Sequence, residues 1–126
     1  MTPHKDSSIA ILGVSDNTSR YSYLAYENLL NRGFTNLIGI TPKEINLPEI
    51  SIVHSLEELV PPIHTLTVYV GNERLTPMIQ DIIKLKPKRI ILNPGTENTD
   101  LIEKATSQGI DVIEGCTLVM LNTNQF

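Results

Sequence analysis

One short segment of the chain combines the residue types that bind phosphate. The segment starts with a glycine at the end of an apolar run and continues with hydroxyl and amide side chains and one arginine. Its candidate binding residues are Gly13, Val14, Ser15, Asn17, Ser19, Arg20, Tyr21 and Ser22. A glycine lets the backbone approach an anion closely, and the N–H groups that begin the following helix point at the same place. A guanidinium adds two donors that match a phosphate. The segment therefore predicts a diphosphate site.

The glycine spacing differs from that of most nicotinamide enzymes. Their fingerprint has a second glycine two residues after the first, whereas here that position is Ser15. The ligand must therefore accept a side chain where those enzymes have bare backbone.

Thr41, Pro42 and Lys43 form a second candidate segment, at the end of the second predicted strand. NAD-binding domains have an acidic residue there, which holds the ribose 2′-hydroxyl. This chain has no carboxylate in the segment before Glu44, and Lys43 instead suits a phosphorylated ribose. Both NADP, with a 2′-phosphate, and coenzyme A, with a 3′-phosphate, fit that pattern.

Two further loops are expected at the same edge, because the loops that follow parallel strands share the carboxyl edge of the sheet. They contribute the remaining candidate binding residues, which are Val70, Gly71, Asn93, Pro94 and Gly95. The loop at residues 93–98 is expected to face the Gly13 segment, with Glu97 stabilising the start of the next helix.

The titratable residues predict no metal site. His4, His54 and His64 are scattered, and none is paired with a cysteine or carboxylate at ligand spacing. The single cysteine, Cys116, excludes an intrachain disulfide. It is either an inert buried thiol or a thiol near the pocket that forms a mixed disulfide with a ligand thiol.

The elements that must position these residues alternate between short apolar runs and amphipathic segments. Strands are predicted at residues 9–14, 36–40, 65–70, 89–93 and 110–113. Helices are predicted at residues 21–32, 55–60, 73–85 and 98–109, from their periodicity, capping residues and stop signals. Residues 48–53 are expected to be irregular or weakly extended, and residues 117–121 to pack on the sheet edge.

This alternation predicts an α/β fold, because parallel strands are joined by right-handed helical crossovers. We expect a Rossmann-like three-layer sandwich with a five-stranded, mainly parallel sheet in the order 3-2-1-4-5, formed by residues 1–126 as a single domain. In that order the chain reverses direction between strands one and four, and a ligand binds at this switch point.

Composition restricts the function classes. The 126 residues are 40% hydrophobic and carry a net charge of −4, which disfavours a nucleic-acid partner. No apolar run approaches the ~18 residues of a membrane span, so the expected location is the cytoplasm. The apolar residues 118–121 cover either the chain's own sheet or a second copy in a homo-oligomer.

Together the polar segments resemble a known family. Gly13-Val14-Ser15 with Arg20-Tyr21-Ser22, then Thr41-Pro42-Lys43 and the loop at 93–98, look like the motifs of stand-alone CoA-binding domain proteins. These small bacterial proteins are similar to the CoA-binding domain of the succinyl-CoA synthetase alpha subunit, and the resemblance spans about residues 7–120.

The resemblance implies a Rossmann fold that binds the nucleotide end of coenzyme A. The pyrophosphate would lie on the loop at residues 13–22, and Thr41, Pro42 and Lys43 would border the adenosine. Val70 and Gly71 would line the next edge. The chain lacks the arginines that such relatives often carry after strands three and five, where it has Gly71-Asn72-Glu73 and Gly115-Cys116.

Three functions stay open on these observations. The first is a module that binds coenzyme A or an acyl-CoA and has no catalytic residues of its own. The second is an NADP-binding oxidoreductase-like domain, although only about a dozen residues follow the last strand and no Tyr-x-x-x-Lys pair is present. The third is a degenerate Rossmann domain that mediates protein association.

Overall fold

A computed structural model describes residues 2–126 of the chain. Six short strands form its centre, and they are β1 (Ile9–Leu12), β2 (Leu37–Ile40), β3 (Ser51–Val53), β4 (Thr65–Val68), β5 (Arg89–Leu92) and β6 (Asp111–Glu114). Five helices connect or follow them, and they are α1 (Tyr21–Asn31), α2 (Asn72–Leu75), α3 (Ile79–Leu85), α4 (Thr99–Ser107) and α5 (Thr117–Asn122).

The strands form one sheet in the order β3-β2-β1-β4-β5-β6, and every pair of neighbours is parallel. The predicted α/β fold with a parallel sheet is confirmed, but the predicted number of five strands is wrong. Residues 51–53, expected to be irregular or weakly extended, form the edge strand β3. Thr65–Val68 is consequently the fourth strand and pairs with β1, whereas the predicted order placed it at the edge beside the second strand.

The missed strand has a physical explanation. β3 is three residues long, with Ser51 exposed and Ile52 and Val53 only half-buried. The strands that were predicted from apolar runs, such as β1, are buried at every position. With a serine at its start and only two apolar residues after it, this short edge strand gives no such run.

Two hydrophobic clusters lie on opposite faces of the sheet, because successive side chains of a strand alternate between its faces. Ala10 and Leu12 of β1 belong to the cluster that includes residues of α2, α3 and α4. Ile9 and Ile11 belong to the cluster that includes residues of α1 and α5. The result is three layers, with the sheet between two groups of helices.

Two predicted helices differ from the structure, one in continuity and one in length and type. The helix expected at 73–85 is divided into α2, a 3₁₀ turn at Thr76–Met78 and α3, because Pro77 has no N–H to donate to the preceding turn. The helix expected at 55–60 is a single 3₁₀ turn, Leu56–Glu58. Residues 117–121 form most of α5, which packs beside α1. Within residues 2–126 no helix has the length and apolar character needed to cross a bilayer.

The amino edge of the sheet contains a buried arginine and a partly buried histidine. Nε of Arg89 donates to Oγ1 of Thr65 at 2.8 Å, and the guanidinium lies 4.5 Å from the ring centre of Phe126. The same Thr65 oxygen lies 2.8 Å from Nδ1 of His64. Because Thr65 accepts from Arg89, its own proton is available to Nδ1, which suits a neutral His64 ring.

We expect the stability of the protein to fall as the pH drops below about 6.5. Burial, followed by the charges of Arg89 and Lys88, holds the pKa of His64 below its ordinary value of 6.5. The unfolded chain therefore takes up this proton first as the pH falls, so the free energy of unfolding decreases through that window. Urea denaturation between about pH 5 and pH 7 measures it.

The matched variants for this measurement are His64→Gln and His4→Gln. The first is expected to flatten the pH dependence. The second, at an exposed position whose charge is the smallest of the causes that lower the pKa of His64, is expected to change it only slightly. An unaltered slope in His64→Gln would assign the effect to other groups.

Candidate functional site

The carboxyl ends of β1 and β4 form the switch point of the sheet, since the chain leaves β1 toward β2 and leaves β4 toward β5. Gly13 follows β1 and donates its N–H to the carbonyl oxygen of Ile40 at 2.9 Å. Its φ is +88°, and a Cβ there would lie 2.8 Å from Cγ1 of Val70, on the segment that follows β4. Both the backbone angle and the neighbouring segment thus require glycine at this position.

Val14 fixes the next step of this loop. It is buried among the residues on the α1 side of the sheet, directly over Gly39 in the middle of β2. A Cβ at Gly39 would lie 2.6 Å from Cγ1 of Val14. The absence of a side chain in β2 therefore lets Val14 pack against the sheet and sets the direction of the loop.

The loop between Gly13 and α1 is held by its own polar side chains. Oγ of Ser15 accepts from the N–H of Asn17 at 3.0 Å, and Oδ1 of Asn17 accepts from both the N–H and the hydroxyl of Ser19, at 3.0 and 2.8 Å. Arg20 ends the loop as an exposed residue, and no side chain among residues 2–126 caps α1. Ser15 and Asn17 thus shape the loop, and within residues 2–126 the start of α1 has no side-chain cap, although the N–H of Tyr23 donates to the carbonyl oxygen of Arg20 at 3.1 Å.

The two residues that follow Arg20 differ in exposure. Tyr21 is 72% exposed and Ser22 is 4% exposed. A ligand on this loop can therefore contact the Tyr21 side chain, whereas it reaches Ser22 through the backbone.

Thr41, Pro42 and Lys43 follow β2 as predicted, and the threonine organises them. The N–H of Thr41 donates to the carbonyl oxygen of Val53 at 3.1 Å, which extends the pairing of β2 with β3 by one residue. Its buried hydroxyl accepts from the N–H of Lys43 at 3.2 Å. Pro42 and Lys43 are exposed, so the lysine is free to reach a ligand at this edge.

Val70 and Gly71 lie on the other side of the switch point. Val70 is buried against Gly13. Gly71 is exposed at the N-cap of α2, and a Cβ there would meet nothing within 4 Å. The open space at Gly71 leaves room for a ligand, while Val70 contributes packing.

The buried side chain of Asn93 is fully engaged within the protein. Its Nδ2 donates to Oγ1 of Thr67 at 2.8 Å and to the carbonyl oxygen of Val68 at 2.9 Å. Its Oδ1 accepts from the N–H of Thr117 at 2.8 Å, so the one amide joins β4 and β5 to the start of α5. The two threonine hydroxyls are also 2.8 Å apart. Asn93 is 2% exposed, and its carbonyl oxygen accepts from the N–H and the hydroxyl of Thr96, so this residue offers a ligand little surface.

Pro94 and Gly95 are exposed in the same loop. Gly95 has a φ of +90° and donates its N–H to the carboxylate of Glu97 at 3.0 Å. Either Asn98 or Thr99 was expected to cap α4, and Asn98 does so, with Oδ1 accepting from the N–H of Leu101 at 3.0 Å. The loop follows β5, which is separated from β1 by β4, so the segment that follows β4 lies between this loop and the Gly13 segment.

Tyr69 is a residue of this edge that the sequence analysis missed. Its hydroxyl is buried and has no hydrogen-bond partner among residues 2–126. Burial, opposed by the nearby hydroxyls of Thr117 and Thr67, raises the pKa of Tyr69 to about 12, so the phenol stays protonated at neutral pH. One feature of the sequence could have indicated this position. Tyr69 lies two residues after Thr67, so in an extended strand the two side chains lie on the same face.

His54 and Glu44 were also not predicted as part of the site. His54 follows β3, and its ring contacts the loop that holds Lys43. The sequence could not indicate this contact, because it depends on the pairing of β2 with β3, and β3 was not predicted. Cys116 is half-buried at the N-cap of α5.

A cavity of about 520 Å³ lies at the opposite, amino edge of the sheet. Its lining includes Ser8, Asn36, His64 and Lys88, residues that precede four of the strands.

Among residues 2–126, no three histidine, cysteine or carboxylate side chains group closely enough to hold a metal ion.

Solved structures share this fold. A crystal structure of an uncharacterized protein is 36% identical and superposes with a TM-score of 0.89, over 96% of this chain and 98% of that one. A Thermus thermophilus protein, cell-free ID.343, is 22% identical with a TM-score of 0.85, over 97% and 92% of the two chains. Among curated proteins, none matches the chain at a significant level.

A larger enzyme contains a similar unit. The dinucleotide-forming acetyl-coenzyme A synthetase 1 of Ca. Korarchaeum cryptofilum is 21% identical with a TM-score of 0.73, over 86% of this chain and 26% of the synthetase, a likeness of fold alone. The family model described as the CoA binding domain matches residues 7–122, which include every predicted binding segment. The chain belongs to the CoA binding domain family.

Proposed function

We propose that this protein, as one domain, binds coenzyme A or an acyl-CoA through the nucleotide end and performs no chemistry of its own. The observation that carries the proposal is the coincidence of the family match over residues 7–122 with an uncapped α1 behind a glycine turn at the switch point. Helix N-termini in this position bind phosphate groups.

The proposed site follows the loops around the switch point. The pyrophosphate lies on the loop that ends in Arg20, against the backbone from Gly13 to Ser22. Thr41, Pro42 and Lys43 border the adenosine and its phosphorylated ribose. Gly71, with Val70 beneath it, forms the next wall, and the backbone of Asn93, Pro94 and Gly95 lies beyond. The exposure of Arg20, Lys43 and Gly71 supports this assignment.

NADP is the competing ligand, because exposed Lys43 at the end of β2 suits a 2′-phosphate as well as a 3′-phosphate. Titration calorimetry with coenzyme A, acetyl-CoA, dephospho-CoA, NADP and NAD distinguishes the two. A thermal-shift series is the independent check, since a ligand at ~100 times its Kd adds about 2.7 kcal/mol to stability. Binding of NADP in preference to coenzyme A, or binding of neither, would contradict the proposal.

Lys43→Ala is expected to weaken coenzyme A binding about tenfold and to leave dephospho-CoA binding nearly unchanged, because one charged hydrogen bond to a phosphate is lost. Calorimetry with both ligands measures the difference. Lys84→Ala is the matched control. Lys84 is an exposed lysine in the last turn of α3, and a crossover helix ends at the amino edge of the sheet, away from the site.

Arg20→Ala separates the two phosphate groups of the ligand. It is expected to weaken the binding of coenzyme A and of dephospho-CoA alike, by about tenfold to a hundredfold, because both ligands carry the pyrophosphate.

For the Lys43→Ala variant, equal losses of affinity for the two ligands would show that Lys43 does not contact the ribose phosphate.

A further inference from the structure

His54 and Thr41 lie side by side because β2 and β3 are neighbours. Ile40 and Val53 are paired in register at the carboxyl ends of these strands, and Thr41 and His54 are the next residues of each. Nδ1 of His54 lies 2.9 Å from the carbonyl oxygen of Thr41. The histidine thus contacts the first residue of the loop that holds Lys43.

The position of His54 is fixed from the other side. Its backbone N–H donates to Oε2 of Glu58 at 2.9 Å, and the hydroxyl of Ser55 donates to the same oxygen at 3.3 Å. Glu58 belongs to the 3₁₀ turn that is anchored by buried Leu56. The backbone under the histidine ring is therefore held by the turn that follows β3.

The ring spans the loop from one end to the other. While Nδ1 contacts Thr41, Nε2 lies 3.2 Å from Oε1 of Glu44. A carbonyl oxygen and a carboxylate both accept hydrogen bonds only, so a ring with a proton on each nitrogen satisfies both contacts. The four residues 41–44 are thereby tied at both ends to β3.

This arrangement controls the charge next to Lys43. Glu44 is the next residue, and its side chain is 92% exposed. Without a partner, the Glu44 carboxylate can move close to a ligand phosphate that is bound by Lys43, and its negative charge would repel that phosphate. Its contact with the His54 ring directs the carboxylate toward β3, and a ring that carries both protons also balances its charge.

We infer that His54 is a specificity-determining residue, which tethers Glu44 so that Lys43 presents a favourable site to a phosphate monoester on the ligand ribose. This inference rests on the proposed function. His54 acts through Glu44 and the loop backbone, and so it is a positioning residue. Its effect is confined to ligands that carry the ribose phosphate.

The test compares coenzyme A with dephospho-CoA in calorimetric titrations of four proteins: the wild type, His54→Asn, Glu44→Gln and the double variant. Asparagine has an amide donor near the place of Nδ1 for the Thr41 carbonyl and does not reach Glu44. His54→Asn is expected to weaken coenzyme A about fivefold, the upper range for an exposed ion pair. Its affinity for dephospho-CoA stays that of the wild type.

The double variant supplies the decisive readout. Removing the charge of Glu44 is expected to restore coenzyme A binding in the His54→Asn background, since no carboxylate is left to be tethered. Equal weakening of both ligands in His54→Asn, or no recovery in the double variant, would overturn the inference and assign His54 a structural role in the loop. Unligated melting temperatures of all four proteins verify that each is folded.

The same titrations distinguish this failure from failure of the proposed function. If the wild type binds neither ligand, the proposed function is wrong and the inference falls with it. If the wild type binds both with equal affinity, the nucleotide site stands and the reading of the ribose phosphate by Lys43 and His54 does not.

Discussion

Gly13→Ala is expected to destabilise the protein by about 2–4 kcal/mol and to lower its melting temperature by roughly 10 °C. Two causes add. Gly13 has a φ of +88°, which is strained for alanine, and the new Cβ would lie 2.8 Å from Cγ1 of Val70 and 3.2 Å from backbone atoms of Tyr69. The variant is also expected to lose ligand binding, because the turn that supports the phosphate loop must shift.

Gly71→Ala is the matched control, since its φ of −71° suits any residue and a Cβ there meets nothing within 4 Å. Combining Gly13→Ala with Val70→Ala separates the two causes. It removes the contact with Cγ1 and leaves the backbone strain, so the double variant is expected to lose less than the sum of the single losses. Urea denaturation of the wild type, the three single variants (Val70→Ala included) and the double variant measures these losses. A fully additive result would contradict the proposed clash.

Asn93→Ala is expected to cost about 3 kcal/mol of stability, because the carbonyl of Val68 and the N–H of Thr117 lose their partner in a buried place. Asn93→Asp is expected to cost more. It places a carboxylate oxygen where Nδ2 now donates to the carbonyl oxygen of Val68, so two groups that only accept then face each other. Equilibrium denaturation measures both losses.

Asn122→Ala provides the comparison for these variants, as an exposed asparagine at the end of α5. It is expected to change stability by less than about 0.5 kcal/mol. Because Asn93 joins two strands to α5, the variants at 93 should also increase amide exchange at the start of α5. Wild-type exchange there, together with a small loss of stability, would show that the three hydrogen bonds contribute little.

The sequence predicted the buried part of the fold well, for a physical reason. Strands such as β1 and β5 are covered on both faces and are apolar at nearly every position, so they can be recognised without their neighbours. β3 has one neighbour and an exposed serine, and its pairing depends on residues about a dozen positions away. Missing it also displaced Thr65–Val68 in the predicted order.

In the candidate site, too, the sequence indicated the residues at strand ends but not those whose roles depend on distant contacts. The positions of Gly13 and Lys43 follow from the ends of strands, and the structure places both at the carboxyl edge. The role of Asn93 depends on contacts with Thr67 and Thr117, 26 and 24 residues away in sequence. His54 depends on the pairing of β2 with β3, so the strand that was missed concealed the residue that contacts the Lys43 loop.

The contact between Val14 and Gly39 constrains how this protein can evolve. The two positions share one volume, with Cγ1 of Val14 only 2.6 Å from the place of a Cβ on residue 39. That Cβ would also lie 3.0 and 3.2 Å from Cδ1 of Ile52 and Ile50, but these are the ends of flexible side chains that can move aside. An alanine at 39 is therefore acceptable only after residue 14 has become smaller, whereas the reverse order passes through an overpacked intermediate. Mutational paths in a lineage of such proteins therefore have a preferred direction, which is set by a strand that lies beneath the proposed ligand.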